Sequence, residues 1–187
     1  MLKEKIILAS KSPRRAEILR SAGWEFESQA PNIDETRQES EDAVSYVKRL
    51  AREKAATIAN RAPERLALGA DTVVVIDGEI LGQPRDDEDA RRMLSLLSGK
   101  WHEVLTGVAL LRGETEASID HESTRVHFCE LSAEEIDWYV STGEPRDKAG
   151  AYAIQGKGAI FIEGIEGDYF NIVGLPIRLV YEMVRRM

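Results

Sequence analysis

One short segment of the chain, ASKSPRRAEIL at residues 9–19, gathers side chains that bind phosphate well. Arg14 and Arg15 each carry a guanidinium that can bond two phosphate oxygens at once, and Ser10 adds a hydroxyl. The segment lacks the glycine-rich pattern of a P-loop. Because arginines in a first helical turn oppose the helix dipole, they need an anion or a carboxylate partner. The segment therefore predicts a phosphate cradle, and the alternative is a capped helix with salt-bridged arginines.

An acidic side chain stands inside an apolar stretch further along the chain. Asp71 lies in the sequence GADT, where apolar residues 66–70 meet the run VVVI. A carboxylate in such a place is unfavourable unless it is paired, binds a metal, or sits at a strand end facing a cleft. Asp71 is therefore a candidate catalytic residue, and the alternative is a carboxylate that caps a turn.

The polar loop PNIDET at residues 31–36 supplies a second candidate carboxylate, Glu35, with Asp34 as its competitor for the same role. Two carboxylates that meet a triphosphate commonly share a Mg²⁺ or Mn²⁺ ion, and one of them can orient the attacking water. The pair Glu35 and Asp71 therefore predicts a divalent-metal site.

Two further segments carry polar side chains that a nucleotide could contact. Lys54 lies in RLAREKA, within a predicted helix, and its alternative is a solvated helix face with local ion pairs. Gln155 lies among the glycines of KAGAYAIQGKGA, where small residues let a ligand approach the backbone. The alternative for this second segment is a tight turn between strands.

The elements that position these side chains follow from hydrophobic periodicity and helix caps. Ser12 is a good N-cap, Pro13 suits the first helical position, and Gly23 ends that helix. Asp77-Gly78 predicts a hairpin turn within residues 66–84. Further helices are predicted at residues 41–62, 86–99, 133–142 and 175–187, and further strands at 5–9, 24–29, 101–113 and 119–129, with a strand-rich segment at 151–174. The predicted fold class is α/β, with a long mixed and largely antiparallel sheet flanked by helices.

The composition limits the class of protein. The chain has 187 residues, which suits one domain over residues 1–187, and 43% of them are hydrophobic. Its net charge of −8 argues against a nucleic-acid polymer as partner, although a few focused cations can still bind a small anion. No apolar run approaches the roughly 20 residues that span a bilayer. A single cysteine, Cys129, and an N-terminus without a signal-peptide pattern predict a cytoplasmic location.

Five blocks in order, over roughly residues 5–180, resemble the Maf family of nucleotide pyrophosphatases. They are LASKSPRRAEIL, YVKRLAREKA, LGADTVVVIDGEILGQP, MLSLLSGKWHEVLTGVAL, and DKAGAYAIQGKGA followed by GDYFNIVGLP. The resemblance implies a mixed α/β fold related to inosine-triphosphate pyrophosphatases, in two lobes with a central cleft. It also implies metal-dependent hydrolysis of a nucleoside triphosphate to the monophosphate and pyrophosphate, and it leaves a homodimer open.

The resemblance also implies roles for single residues. Asp71 matches the family's catalytic base, and Glu35 matches its loop carboxylate. The remaining matches are Ser10, Arg14, Arg15 and Lys54 to phosphate-binding positions, and Arg14, Thr72 and Gln155 to positions associated with substrate choice. IQGKGA resembles the branch that acts on dTTP and UTP, whereas the 7-methyl-GTP branch carries a glutamate-containing sequence there.

One position departs from the family pattern. Gln83 stands before Pro84 where the family usually has a lysine, and glutamine offers the phosphates only a neutral donor. Either Lys157 or another cation compensates, or phosphate binding is weaker in this chain. This departure keeps alive an alternative function, a nucleotide-binding regulator of cell division with little turnover. The function that the resemblance implies is a dTTP and UTP pyrophosphatase that sanitises the nucleotide pool. A 7-methyl-GTP pyrophosphatase is the other alternative.

Overall fold

The computed structural model describes residues 4–113 and 115–187. Seven strands form one sheet: β1 Ile6–Ala9, β2 Phe26–Gln29, β3 Leu66–Ile76, β4 Glu79–Leu81, β5 Trp101–Arg112, β6 Thr115–Phe128 and β7 Ile162–Glu166. Their order is β2-β1-β3-β5-β6-β7, and β4 pairs with β3. β1 runs parallel to β2 and to β3, whereas the pairs β3 with β4 and β6 with β7 are antiparallel. The sheet is therefore mixed.

Among the described residues, six α-helices accompany the sheet: α1 Pro13–Ser21, α2 Ala43–Ala59, α3 Asp87–Leu97, α4 Ala133–Ser141, α5 Tyr169–Val173 and α6 Ile177–Arg185. Three short 3-10 helices lie at Glu144–Asp147, Ala149–Ala151 and Lys157–Phe161. The predicted α/β class, with a mixed sheet and flanking helices, is confirmed. No helix in the described ranges is long and apolar enough to cross a bilayer.

The predicted helix caps and the predicted hairpin turn form at α1, at α4 and between β3 and β4. The Ser12 hydroxyl accepts a bond from the Arg15 N–H, and Ser132 with Glu135 forms a reciprocal capping box at α4. Asp77 (φ 50°) and Gly78 (φ 81°) make the hairpin turn between β3 and β4. Positive φ at both central residues matches the right-handed twist of the strands.

The strand-rich prediction for residues 151–174 was wrong. Only β7 is a strand there, and the rest consists of 3-10 turns and the short helix α5. The glycines explain the difference, because Gly156 (φ 117°) and Gly167 (φ 128°) adopt backbone conformations that interrupt extended structure.

The chain divides into two compact units. The first comprises the described residues up to Asp71, with Thr106–Glu122 and Gly174–Met187, and the second comprises Thr72–Leu105 and Ser123–Val173. The first unit has a core of small and aliphatic residues from α2, β1, β3 and β5. The second has a larger core in which α3 and α4 contribute next to aromatic residues such as Phe128 and Phe161. One domain over residues 1–187 stays a prediction.

Two glycines bring α2 unusually close to the sheet of the first unit. A Cβ on Gly69 of β3 would lie 2.1 Å from the Ala51 carbonyl oxygen, and one on Gly107 of β5 would lie 2.3 Å from the Val47 carbonyl oxygen. Any side chain at either position would collide with the helix backbone. The two glycines therefore set the distance at which α2 presents its side chains to β3.

Candidate active site

Asp71 lies inside β3, two residues beyond the close contact at Gly69. The residue is only 7% exposed, and its Oδ1 accepts a 2.6 Å hydrogen bond from the Lys54 Nζ. The strand continues through Asp71 to Ile76, so the alternative in which this carboxylate caps a turn was wrong. A buried ionisable group needs such a partner, and Lys54 provides it.

Lys54 is itself buried, with 6% exposure, on the face of α2 that packs on the sheet. Its ammonium also meets the Glu35 Oε1 at 2.9 Å. The alternative that placed Lys54 on a solvated helix face was wrong. One ammonium thus joins both candidate carboxylates, which come from a loop and a strand.

The loop that carries Glu35 is tied to α2 by several bonds. The Tyr46 hydroxyl donates to the Glu35 carbonyl oxygen at 2.7 Å, and Arg49 donates to the Thr36 carbonyl oxygen at 3.1 Å. Arg49 also binds both carboxylate oxygens of Glu41, at 2.8 and 2.9 Å. These contacts hold the backbone, while the Glu35 side chain remains 58% exposed and accessible to a ligand.

Asp34, the competitor of Glu35, has a different environment. It is exposed, and its Oδ1 accepts a 2.9 Å bond from the Thr36 N–H. Hydrogen bonds from the Thr36 side chain and from this N–H lower the pKa of the Asp34 carboxyl. The carboxylate therefore shapes its own loop as an Asx turn. Glu35 and not Asp34 contacts Lys54.

The basic segment at the start of α1 is held by the Ser10 hydroxyl and by a backbone carbonyl from a distant part of the chain. The buried Ser10 hydroxyl accepts from the Ser12 N–H at 3.1 Å and from the Arg15 Nη1 at 3.3 Å. The Arg15 Nε donates to the Gly174 carbonyl oxygen at 2.7 Å. Two donors of Arg15 are thus used to orient the guanidinium, which leaves its other N–H groups to a ligand or to further protein contacts.

Charge and burial shift the pKa values of these groups in opposite directions. Burial raises the pKa of the Asp71 carboxyl above its ordinary value, although Lys54 and Arg15 oppose the rise and Glu35 adds to it. Burial likewise lowers the pKa of the Arg15 guanidinium, against the influence of Asp71, and neighbouring Arg14 adds to the decrease. A carboxylate with a raised pKa is a better proton acceptor than an ordinary aspartate, which suits a general base.

The donor set around Lys54 fits a divalent cation that also binds substrate. Glu35 and Asp71 both approach one point of positive charge, and carboxylate oxygens are the ligands that Mg²⁺ and Mn²⁺ prefer. Within residues 4–113 and 115–187 no group of three or more His, Cys, Asp or Glu is placed to hold a metal alone. Mg²⁺ commonly takes only one or two carboxylates together with phosphate oxygens and water, so a nucleotide would complete the set.

The other predicted residues lie in the second unit. Thr72 follows Asp71 on β3 and is half-buried, and consecutive strand residues point to opposite faces of a sheet. Gln83 is exposed, and its Nε2 donates a long 3.5 Å bond to the Asp147 carbonyl oxygen. Gln155 is exposed in the turn before Lys157–Phe161. The roles of Thr72, Gln83 and Gln155 stay predictions.

Three residues that support the site were not singled out from the sequence. Tyr46 holds the Glu35 loop, Gly69 admits α2, and the carbonyl of Gly174 orients Arg15. Gly69 had a usable signal, because a glycine inside a strand often marks a close backbone approach. Tyr46 and Gly174 act through contacts that depend on the tertiary structure, and no local pattern announces them.

Comparison with known proteins shows one family over nearly the whole chain. A family model described as Maf-like protein matches residues 5–187. A dTTP/UTP pyrophosphatase of Symbiobacterium thermophilum is 51% identical over 181 residues, which cover 97% of this chain and 93% of that relative. A dTTP/UTP pyrophosphatase of Geotalea uraniireducens is 52% identical over 186 residues, covering 99% of this chain and 96% of the relative.

A solved structure supports the fold independently. The HAM1 protein from Coxiella burnetii matches with a TM-score of 0.54 at 18% identity, and the match covers 100% of both chains. At this level of identity the likeness concerns the fold alone, and it agrees with the mixed sheet and flanking helices described above.

Proposed function

The chain belongs to the Maf-like protein family, and from that premise we propose that it hydrolyses dTTP and UTP to the nucleoside monophosphate and pyrophosphate. The curated relatives at about half identity carry the name dTTP/UTP pyrophosphatase and align over nearly the full chain. The observation that carries the proposal is the buried contact between Lys54 and Asp71, with Glu35 on the same ammonium. An isolated structural ion pair would not need a second, solvent-accessible carboxylate.

Asp71 serves as the general base. Its burial raises the pKa of the carboxyl, so the carboxylate can accept a proton from the water that attacks the α,β-phosphoanhydride. Lys54 holds the Oδ1 of Asp71 in one place, which directs the other carboxylate oxygen toward the water. In-line attack then releases pyrophosphate and leaves the monophosphate.

The positive side chains neutralise the charge that builds up on the phosphate oxygens. Arg15 is oriented by Ser10 and Gly174, and Arg14 lies beside it on the first turn of α1. Lys54 adds an ammonium from α2. Groups that are already oriented stabilise the transition state without reorganisation during the reaction.

We also propose that the reaction uses Mg²⁺ or Mn²⁺, held by Glu35 and Asp71. When bound, such an ion supplies charge neutralisation for the phosphate oxygens and acidifies the attacking water. Lys54 contacts both carboxylates, so Glu35 and Asp71 are the two side chains that would hold the ion. We propose a cytoplasmic location, which suits these substrates. A homodimer stays a prediction.

Gln155 is the residue that reads the base in this proposal. The Gln155 amide offers a carbonyl acceptor and an NH₂ donor, which match the N3–H donor and O4 acceptor of thymine and uracil. A mismatched base that leaves a desolvated polar group unpaired costs about 1–3 kcal/mol for each such group. Arg14 and Thr72 are the other residues assigned to substrate choice.

The test is a pyrophosphate-release assay on the purified chain with dTTP, UTP, CTP and 7-methyl-GTP, with and without Mg²⁺. We expect dTTP and UTP to exceed the other two in kcat/KM by at least about tenfold, which corresponds to 1.4 kcal/mol. Formation of a nucleoside diphosphate and orthophosphate would contradict the mechanism. Binding without turnover would favour a nucleotide-dependent regulator, and preference for 7-methyl-GTP would reassign the substrate.

A further inference from the structure

The Glu144 carboxylate organises a turn that the proposed mechanism uses only through Gln155. Its Oε1 accepts hydrogen bonds from the Tyr139 hydroxyl at 2.8 Å and from the Gly158 N–H at 3.1 Å. Its Oε2 accepts a bond from the Lys157 N–H at 3.1 Å. One side chain therefore fixes two successive backbone amides of the segment that follows Gln155.

Tyr139 fixes the same segment on its other side. This residue of α4 is fully buried, and its hydroxyl accepts a 3.1 Å bond from the Ala153 N–H while it donates to Glu144. The exposed Gln155 lies between the two anchored points, Ala153 and Lys157. Glu144 and Tyr139 thus span the turn as a single hydrogen-bonded support.

At the two glycines of the turn, the backbone lies close to the side chains of Glu144 and Tyr139. A Cβ on Gly156, which has φ 117°, would lie 2.7 Å from the Glu144 Oε2. A Cβ on Gly158 would lie 2.6 Å from the Tyr139 hydroxyl oxygen. Side chains at either position would push the backbone away from the carboxylate and the hydroxyl, so the sequence QGKG and the pair Tyr139–Glu144 fit one another.

The carboxylate keeps its charge at neutral pH. Burial raises the pKa of Glu144, but bonds from the Lys157 and Gly158 amides and from the Tyr139 hydroxyl outweigh it and leave the pKa below its ordinary value. An ionised carboxylate only accepts hydrogen bonds, and bonds to an ionised acceptor are about twice as strong as neutral ones. Its position is itself set, since the Thr142 hydroxyl accepts the Glu144 N–H at 3.2 Å.

We propose that Glu144, together with Tyr139, is the positioning residue that holds Gln155 for reading the nucleobase. This inference rests on the proposed function, in which the Gln155 amide pairs with thymine or uracil. A glutamine amide can rotate to suit cytosine as well, so selectivity requires first that the backbone restrict where the Gln155 side chain can lie. The support under residues 153–158 provides that restriction without touching the nucleotide.

The principal variant is Glu144→Gln, which keeps the size of the side chain and replaces one acceptor oxygen by a donor NH₂. We expect the ratio of kcat/KM for dTTP over CTP to fall by about fivefold or more, chiefly through KM for dTTP, with kcat changed less than about threefold. Tyr139→Phe should act in the same direction. Glu134→Gln, at an exposed glutamate of α4, makes the same chemical change away from the turn and should leave the ratio unaltered.

Two measurements separate this role from general stabilisation of the fold. Amide hydrogen exchange at Lys157 and Gly158 should accelerate in Glu144→Gln and not in Glu134→Gln. In a Gln155→Ala background, Glu144→Gln should have little further effect on the ratio, because both changes act through the same amide. Unchanged exchange, or full additivity of the two substitutions, would overturn the proposal.

A binding measurement distinguishes a failure of this inference from a failure of the proposed function. Binding of the α,β-imido analogues of dTTP and CTP, measured by calorimetry, reports base selectivity without hydrolysis. If the parent chain released no pyrophosphate, the proposed activity would fail while the analogue ratio still tested Glu144. An analogue ratio that Glu144→Gln leaves unaltered would defeat the inference even in an active enzyme.

Discussion

The Nζ of Lys54 lies 2.6 Å from the Oδ1 of Asp71, and the two residues are 6% and 7% exposed. They are joined across the packed interface of α2 and β3 within the first unit. Removing one partner of a buried ion pair leaves an uncompensated charge, which typically costs 3–5 kcal/mol. The pair is therefore coupled to folding as well as to chemistry, and variants at either residue need a stability measurement beside the kinetic one.

Asp71→Asn should lower kcat for dTTP by at least about two orders of magnitude, because general-base assistance is typically worth about 10²–10⁴. Affinity for the α,β-imido analogue of dTTP should survive, since Lys54 and Arg15 remain. Single-turnover kinetics and calorimetry check the two expectations. Asp77→Asn, in the exposed hairpin turn, is the matched control. Turnover of Asp71→Asn near the parental rate would disprove the assignment of the base.

Glu35→Gln should weaken activation by Mg²⁺ by about tenfold or more, because one of the two proposed carboxylate ligands is lost. Asp34→Asn is the control on the adjacent residue, since asparagine can still accept the Thr36 N–H and keep the turn. Titration of the rate with Mg²⁺ distinguishes the two variants. Equal metal dependence in both would show that the loop carboxylates do not bind the ion.

The pH dependence of kcat should report the protonation of Asp71. The carboxylate is the active form, so kcat falls about tenfold per pH unit once the pH drops below its pKa. Burial raises that pKa above the ordinary value of 3.8 in the chain without a bound cation, so the variants are compared with the parent at one fixed Mg²⁺ concentration. Lys54→Met removes a charge that opposes the rise and should move the acid limb of the profile to higher pH. Arg52→Met, on the exposed face of α2, should leave it in place.

Gly69→Ala should disturb the site without altering any reactive group. The added Cβ would lie 2.1 Å from the Ala51 carbonyl oxygen, so α2 must move away from β3 and carry Lys54 with it. We expect a loss of about 1–3 kcal/mol in the free energy of unfolding, together with a lower kcat. Denaturant titration compares it with Gly82→Ala, where a Cβ meets no atom within 4 Å. Equal stability of the two variants would contradict this packing argument.

Gln83→Lys restores the usual family residue and should tighten binding of the dTTP analogue. The gain should be larger at low salt, because the Debye length is roughly 10 Å at 0.1 M ionic strength. Glu134→Gln changes the net charge by the same amount at an exposed position and serves as the control. Calorimetry at two salt concentrations measures the affinity of the parent and of Gln83→Lys for the dTTP analogue. If the variant and the parent bind with the same affinity at both salt concentrations, residue 83 does not face the phosphates.

Much of the fold is determined by local sequence. Ser12 and Pro13 begin α1, Asp77-Gly78 turns the hairpin, and Ser132 with Glu135 caps α4, each through bonds to near neighbours in the chain. The blocks that resemble the Maf family also single out Glu35, Lys54 and Asp71. The glycine-rich segment at 151–174 misled the interpretation, because its apolar residues suggest strands that positive φ angles interrupt.

The tertiary structure decided which interpretation of each candidate applies. Helical periodicity places Lys54 on the same face of α2 as Leu50 and Ile58, but it does not show which carboxylates meet the ammonium there. The close approach at Gly69 and Gly107 places α2 so that Lys54 reaches Asp71, 17 residues away in the chain. The support of the Gln155 turn by Glu144 and Tyr139 likewise depends on how α4 and the turn pack together. Contacts between distant segments arise from close packing of the whole unit, and local sequence patterns carry no record of them.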